Sequence, residues 1–242
     1  MLKISGLSKN IKKRKILDNI NLELDNGIYG FLGPNGAGKT TLIRCITGVY
    51  PTFDGTVILD DNYSLGSREY TNKIGYLPQS FGLFKDMRVC DVMLYMAGLI
   101  IKDEKRAEEE VDYVLAKVNL SDRKRDKVKT LSGGMIRRLG VAQALLGNPR
   151  VLIFDEPTAG LDPEERVRFR EIISKLDKDK IVIISTHIVS DVMDTCDKVI
   201  VLNEGKILMN DNIEALANKS SDTSKTGSAL LEDGYICLLR EQ

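Results

Sequence analysis

Eight consecutive residues constrain this chain more than any other stretch. Gly33-Pro34-Asn35-Gly36-Ala37-Gly38-Lys39-Thr40 satisfies G-x-x-x-x-G-K-[ST] at every fixed position. Glycines let successive backbone N–H groups turn inward around an anion without Cβ clashes. A helix opening near Gly38 aims the positive end of its dipole at the same point. Lys39 adds a mobile cation, and the Thr40 hydroxyl, with Thr41 beside it, offers oxygen to a hard metal ion. Such a loop works only between a strand and a helix. Residues 28–32, Ile-Tyr-Gly-Phe-Leu, are a short apolar run, and residues 39–48 suit a helix. A chance glycine turn would lack those neighbours, so a phosphate-binding α/β fold is expected.

The rest of the chain repeats that alternation. Residues 16–24, 56–59 and 74–77 read as strands, and 151–154, 181–184 and 199–202 as buried core strands. Pro163 opens a helix at a first-turn position. Between residues 80 and 148 the period changes, because Ala107, Val111, Val114, Leu115 and Val118 recur at helical spacing. Residues 219–229 are rich in Ser, Thr, Lys and Gly and read as a flexible linker, while the short tail 230–242 is apolar enough to dock. Lys plus Arg balance Asp plus Glu at 35 each, so no global field favours nucleic acid, and none is expected as a partner. Cys45, Cys90, Cys196 and Cys237 stand singly and His187 is the sole histidine, which argues against structural zinc and suits a reducing compartment. No signal peptide is read at the start. The longest apolar run, residues 92–101, is about half a membrane span. A cytoplasmic chain is expected, with any membrane role supplied by a partner.

A carboxylate pair is the second chemical element. Val151-Leu152-Ile153-Phe154 is an apolar strand that ends in Asp155-Glu156, and the C-terminal edge of such a strand is where ligands sit in open α/β sheets. Asp155 is placed to hold Mg²⁺ and Glu156 to orient or deprotonate an attacking water. Alone, Asp-Glu-Pro could equally be an acidic helix start; downstream of a phosphate loop the catalytic reading prevails. Next, Thr130-Leu131-Ser132-Gly133-Gly134-Met135 puts a hydroxyl and two glycine amides at the start of a helix over residues 134–146. Such a start makes a second anion cradle.

This last stretch resembles the LSGGQ signature of ABC (ATP-binding cassette) proteins. The resemblance spans residues 2–216 and implies an α/β fold: a P-loop NTPase core with a mainly parallel sheet, an antiparallel β N-terminal subdomain and an inserted α-helical subdomain. On it, residues 1–218 form the ATPase domain, with 1–79 and 149–218 as catalytic core and 80–148 as the helical subdomain carrying the signature. ATP and Mg²⁺ are the implied cofactors. Gly33, Pro34, Asn35, Gly36, Ala37, Gly38, Lys39, Thr40 and Thr41 would hold the nucleotide, and Thr40, Gln79 and Asp155 the metal. Gln79 is similar to the family's Q-loop glutamine, Asp162 in Ala159-Gly160-Leu161-Asp162 to its D-loop aspartate, and His187 to its switch histidine on the γ-phosphate. Ser132, Gly133 and Gly134 would complete the site of a second ABC subunit, identical or different, so that two ATP molecules are sandwiched in a head-to-tail dimer. The other implied partner is an integral membrane permease, which places the chain peripherally on the inner face of the cell membrane.

Three positions depart from the family pattern. Met135 stands where the signature has glutamine, with Ser132, Gly133 and Gly134 retained. Ile11 falls where an aromatic residue usually stacks on adenine, and offers apolar contact without a ring. Residues 125–129 replace the TGxxG-type loop of fused exporters. Met135 and the sequence ending resemble the bacterial subfamily that pairs with separate exporter permeases for drugs, bacteriocins or lipid-like amphiphiles. Two other classes fit less well. A non-transport ABC ATPase that remodels a soluble complex would often carry a second cassette or long insertions, and a binding-only regulatory module would need neither Glu156 nor His187.

Overall fold

Alternation of buried and exposed side chains builds the N-terminal layer. The computed structural model describes residues 1–222 and 224–241. Strands β1 (Leu2–Ile11) and β2 (Arg14–Leu24) pair antiparallel, Leu2 opposite Leu24 and Ile11 opposite Arg14. Leu17, Ile20, Leu22 and Leu24 are buried on β2, the period-two face of a half-covered strand. There follow β3 (Gly27–Leu32), α1 (Lys39–Ile46), β4 (Asp54–Leu59), β5 (Tyr63–Ser64), α2 (Arg68–Thr71), β6 (Ile74–Leu77), α3 (Val89–Gly98), α4 (Glu104–Lys117), α5 (Gly133–Leu145) and β7 (Val151–Asp155). The chain continues through α6 (Pro163–Ser174), β8 (Ile181–Thr186), α7 (Val189–Thr195), β9 (Lys198–Asn203), β10 (Lys206–Asn212), α8 (Ile213–Ala217) and α9 (Gly227–Arg240).

These elements divide into two units. The first takes residues 1–71 and the chain from Lys178 onward. In it, β1 is flanked by β2 and β4 in an antiparallel sheet. A second set of strands has β3 parallel to both β8 and β9, with Gly30 opposite Ile184 on one side and Val199 on the other, and β10 antiparallel to β9. Every side chain of β8 is buried. Such continuous apolar runs, unlike the alternating β2, are what a strand covered on both faces needs. The phosphate-loop residues therefore leave the C-terminal end of an inner strand.

The second unit, residues 72–177, holds β6 parallel to β7 together with α3, α4, α5 and α6. It is broader than the residues 80–148 marked by the helical period, since β6, β7 and α6 belong to it as well. At the other end of the chain, α9 begins inside residues 219–229 and buries Leu231 and Leu238. Asp233 accepts hydrogen bonds from Ser220 Oγ at 2.7 Å and Lys225 Nζ at 2.6 Å, which fasten the preceding segment to the helix. Thr223, within the expected linker, and Gln242, in the expected tail, lie outside the described residues. Among the described residues no helix is long and apolar enough to cross a membrane.

Candidate functional site

In the first unit the glycine loop joins β3 to α1. Gly38 caps α1 at φ 111°, a left-handed conformation that a side chain would strain. Lys39 is 7% exposed, and its ammonium donates to the Gly33 carbonyl at 2.6 Å and the Pro34 carbonyl at 3.3 Å, so the cation lies over the loop. Beside residues 34–37 opens a cavity of about 660 Å³, lined also by Arg14, Lys15 and Ile16 of β2 and by the turn at Glu204 and open to solvent. Ile11 is not part of that wall and is 37% exposed on β1. Lys15 is tied to Asp18; Arg14 is exposed at the cavity mouth. His187 follows β8 directly and is exposed.

In the second unit β7 delivers the carboxylates. Asp155, its last residue, is 1% exposed and Glu156 8%. Glu156 has φ 50°, a conformation that costs a residue with a side chain about 1–2 kcal/mol and persists only where its surroundings impose it. Gln79 is exposed, and its carbonyl accepts from Arg137 Nη1 at 3.0 Å. The signature opens α5: Ser132 is its N-cap, the hydroxyl accepting from the Met135 N–H at 3.2 Å, and Ser132 and Gly133 are exposed. A Cβ at Gly134 would lie 2.5 Å from Glu165 Cδ, so only glycine lets α6 come this close. Asp162 caps α6, accepting from the Glu165 N–H at 2.9 Å, with Pro163 at the first position.

Oxygen donors of the right kind for a nucleotide-bound hard cation are thus present: the Thr40 hydroxyl, the Gln79 carboxamide and the Asp155 carboxylate. The first unit thus holds a glycine cradle with its lysine, and the second holds a carboxylate strand and a serine-capped glycine helix start. A sequence model of the ABC transporter family matches residues 17–159. The chain belongs to the ABC transporter family, as an ATP-binding subunit. It is 36% identical to the lantibiotic transport ATP-binding protein SrtF of Streptococcus pyogenes over 226 residues, 90% of this chain and 96% of that protein. It is 37% identical to the bacitracin transport ATP-binding protein BcrA of Bacillus licheniformis over 212 residues, 86% of this chain and 68% of that one. Among solved structures, cbiO1 of Clostridium perfringens, part of the ABC transporter complex cbiONQ, superposes with a TM-score of 0.80 at 29% identity, covering 90% of this chain and 91% of that chain. The subunit therefore has the P-loop NTPase fold and is an ATP hydrolase.

Two arginines of this ABC subunit escaped the sequence reading. Arg137 and Arg138 follow the signature on α5 and are 9% and 5% exposed. Arg138 donates to Glu165 Oε2 at 3.1 Å and to the Val118 and Asn119 carbonyls at 2.9 and 3.0 Å, a buried pair joining α5 to α6 and to the end of α4. Arg137 spends its donors on loop carbonyls instead. Burial pushes the Arg137 guanidinium below its ordinary pKa, while Asp155 and Glu156 oppose that shift. The available signal was two adjacent cations on an otherwise apolar helix, a placement that buried chemistry requires and solvation does not.

Proposed function

We propose that this subunit works as one half of an ATP-gated clamp that drives a separate membrane permease, an exporter of amphiphilic molecules. The observation that carries this reading is the start of α5. Ser132 and Gly133 stand exposed with helix-end amides behind them, a phosphate-binding tip presented outward. A second copy, or a related subunit, supplies the phosphate loop that this tip meets, and Asp162 lies at the same interface.

In the nucleotide site, residues 33–41 and Lys39 receive the phosphates. The cavity between residues 34–37, Ile16 and Arg14 takes the base. There Ile16 provides apolar contact and the flat Arg14 guanidinium a stacking face, in place of an aromatic ring. Thr40, Gln79 and Asp155 would hold Mg²⁺, which when bound neutralises phosphate charge. Glu156 takes the proton of the attacking water, and His187 contacts the γ-phosphate. Charge-assisted hydrogen bonds contribute roughly 1.5–3 kcal/mol each, so several bonds to one γ-phosphate close the clamp, and losing that phosphate opens it.

The permease contact is apolar. Phe84 and Tyr95 pack edge to face at 5.8 Å and remain 52% and 53% exposed, with Leu99, the C-cap of α3, 64% exposed. The relatives named for lantibiotic and bacitracin transport support an amphiphilic peptide-like cargo. A cytoplasmic position on the inner membrane face follows from that partnership. The test is the Glu156→Gln subunit at saturating ATP-Mg²⁺: it should bind ATP, turn over at least roughly 100-fold more slowly than wild type and sediment as a dimer. A Glu156→Gln subunit that stays monomeric under those conditions overturns the clamp.

A further inference from the structure

All five N–H donors of one buried guanidinium are surrounded by backbone carbonyls. Arg137 Nε donates to the Pro157 carbonyl at 2.8 Å, and Nη1 to the carbonyls of Gln79 at 3.0 Å and Pro78 at 3.3 Å. Nη2 donates to the Asp155 carbonyl at 3.0 Å and to the Glu156 carbonyl. The Phe81 ring covers the guanidinium, its centroid 5.8 Å away. Two separate loops, residues 78–79 and 155–157, thus hang on a single side chain of α5. Glu156 is the residue among these that sits at φ 50°. Such a backbone reverts to commoner conformations unless something fixes it, and three of the five carbonyls belong to Glu156 and its two neighbours.

We infer that Arg137 is the positioning residue that holds the Glu156 carboxylate and the Gln79 segment in register with the signature helix. The inference rests on the reading of Glu156 as the base. Arg137 lies five positions after Ser132 on the same helix, about 7.5 Å along its axis. A guanidinium is rigid and planar, so a small displacement of the α5 tip is carried to both loops together. A purely apolar residue there would take a donor from all five carbonyls, of which that of Glu156 also accepts from the Ala159 N–H at 3.3 Å. Lysine keeps the charge and loses the fork.

The experiment compares Arg137→Lys, Arg137→Gln, Arg138→Lys and Glu156→Gln in the full-length subunit, measuring steady-state ATP hydrolysis, ATP affinity, melting midpoint and amide exchange. Arg137→Lys should lower kcat roughly 10- to 100-fold with KM and ATP affinity within about twofold, since misplacing a reacting group by about 1 Å has that effect on rate alone. Amides of Glu156 and of residues 158–160 should exchange faster in it, and those of α5 should not. Arg137→Gln, which retains planar N–H donors, should recover part of kcat. Arg138→Lys takes the guanidinium fork from a buried pair on the same helix without touching either loop; it should lower the melting midpoint and leave kcat within about twofold. Wild-type kcat in Arg137→Lys overturns the inference, as does an equal kcat loss in Arg138→Lys, which would make the effect one of general stability. If Glu156→Gln hydrolyses ATP at the wild-type rate, the base reading itself falls and takes this inference with it; a slow Glu156→Gln beside a fast Arg137→Lys overturns the inference alone.

Discussion

A guanidinium can hold a nucleotide by its charge on the phosphates or by its flat face on the base, and Arg14 lies where the two are separable. It lines the cavity on the side of β2, together with Ile16, while Lys39 lies over the loop itself. If Arg14 serves the base, Arg14→Ala weakens ATP binding by about 1–2 kcal/mol, roughly 5- to 30-fold in Kd, the range of a guanidinium on a ring. Inorganic tripolyphosphate, which has no base, should bind the variant within about twofold of wild type. Lys39→Ala should weaken both ligands alike. Calorimetric titration of the two ligands separates the cases, and equal losses in Arg14→Ala would move that residue to the phosphates. Ile11 was the position that the family pattern pointed to. It pairs with Arg14 across the hairpin and is not among the residues that line the cavity, and no spacing in a single sequence tells which of the two lines it.

Elements were more legible than contacts. The buried runs of β3, β7, β8 and β9 show in the sequence because strands covered on both faces must be continuously apolar, and the glycine loop and Ser132 cap show because each fixes residue types at adjacent positions. What escaped was pairing over long separations: Arg138 with Glu165, and Arg137 with carbonyls near residues 78 and 156, each set by how α5 packs and by no local pattern. The edge strand β10 escaped because its second half is polar, and helix α9 because it starts inside the Ser- and Gly-rich stretch, leaving only its apolar end to be read as a docking tail. At the α5 start the two glycines have separable tasks. A Cβ at Gly134 strikes Glu165, the partner of Arg138, whereas one at Gly133 meets nothing within 4 Å. Gly134→Ala should therefore destabilise by roughly 1–3 kcal/mol, an overpacking cost that lowers the melting midpoint by several degrees. Gly133→Ala should melt within about a degree of wild type, because a shift of less than about 0.5 kcal/mol is usual where nothing is touched. If Gly133 belongs to the phosphate tip, the same substitution should still reduce ATP-driven dimerisation of Glu156→Gln, read by sedimentation.

For the molecule as a whole, the question is what brings it to a membrane. Its 35 basic residues balance its 35 acidic ones, and no described helix is long and apolar enough to span a bilayer. Lys12, Lys13, Arg14 and Lys15 form a basic run of the length that attracts anionic lipid. Lys15, however, is committed to Asp18, and Arg14 lines the nucleotide cavity. The competing surface is the exposed Phe84–Tyr95 pair, where two rings contribute the apolar area that concentrates binding energy at protein contacts. An aromatic contact predicts attachment that survives salt, since screening weakens charge pairs and leaves apolar burial intact. The subunit alone should not sediment with phosphatidylglycerol vesicles at about 0.15 M salt, and permease-bearing vesicles should retain it there and at higher salt. Phe84→Ser with Tyr95→Ser should release it from the permease by roughly 30-fold in affinity, the loss expected of a buried aromatic anchor, with basal ATP hydrolysis unchanged. Retention by protein-free anionic vesicles that disappears as salt rises would instead assign membrane attachment to the basic hairpin.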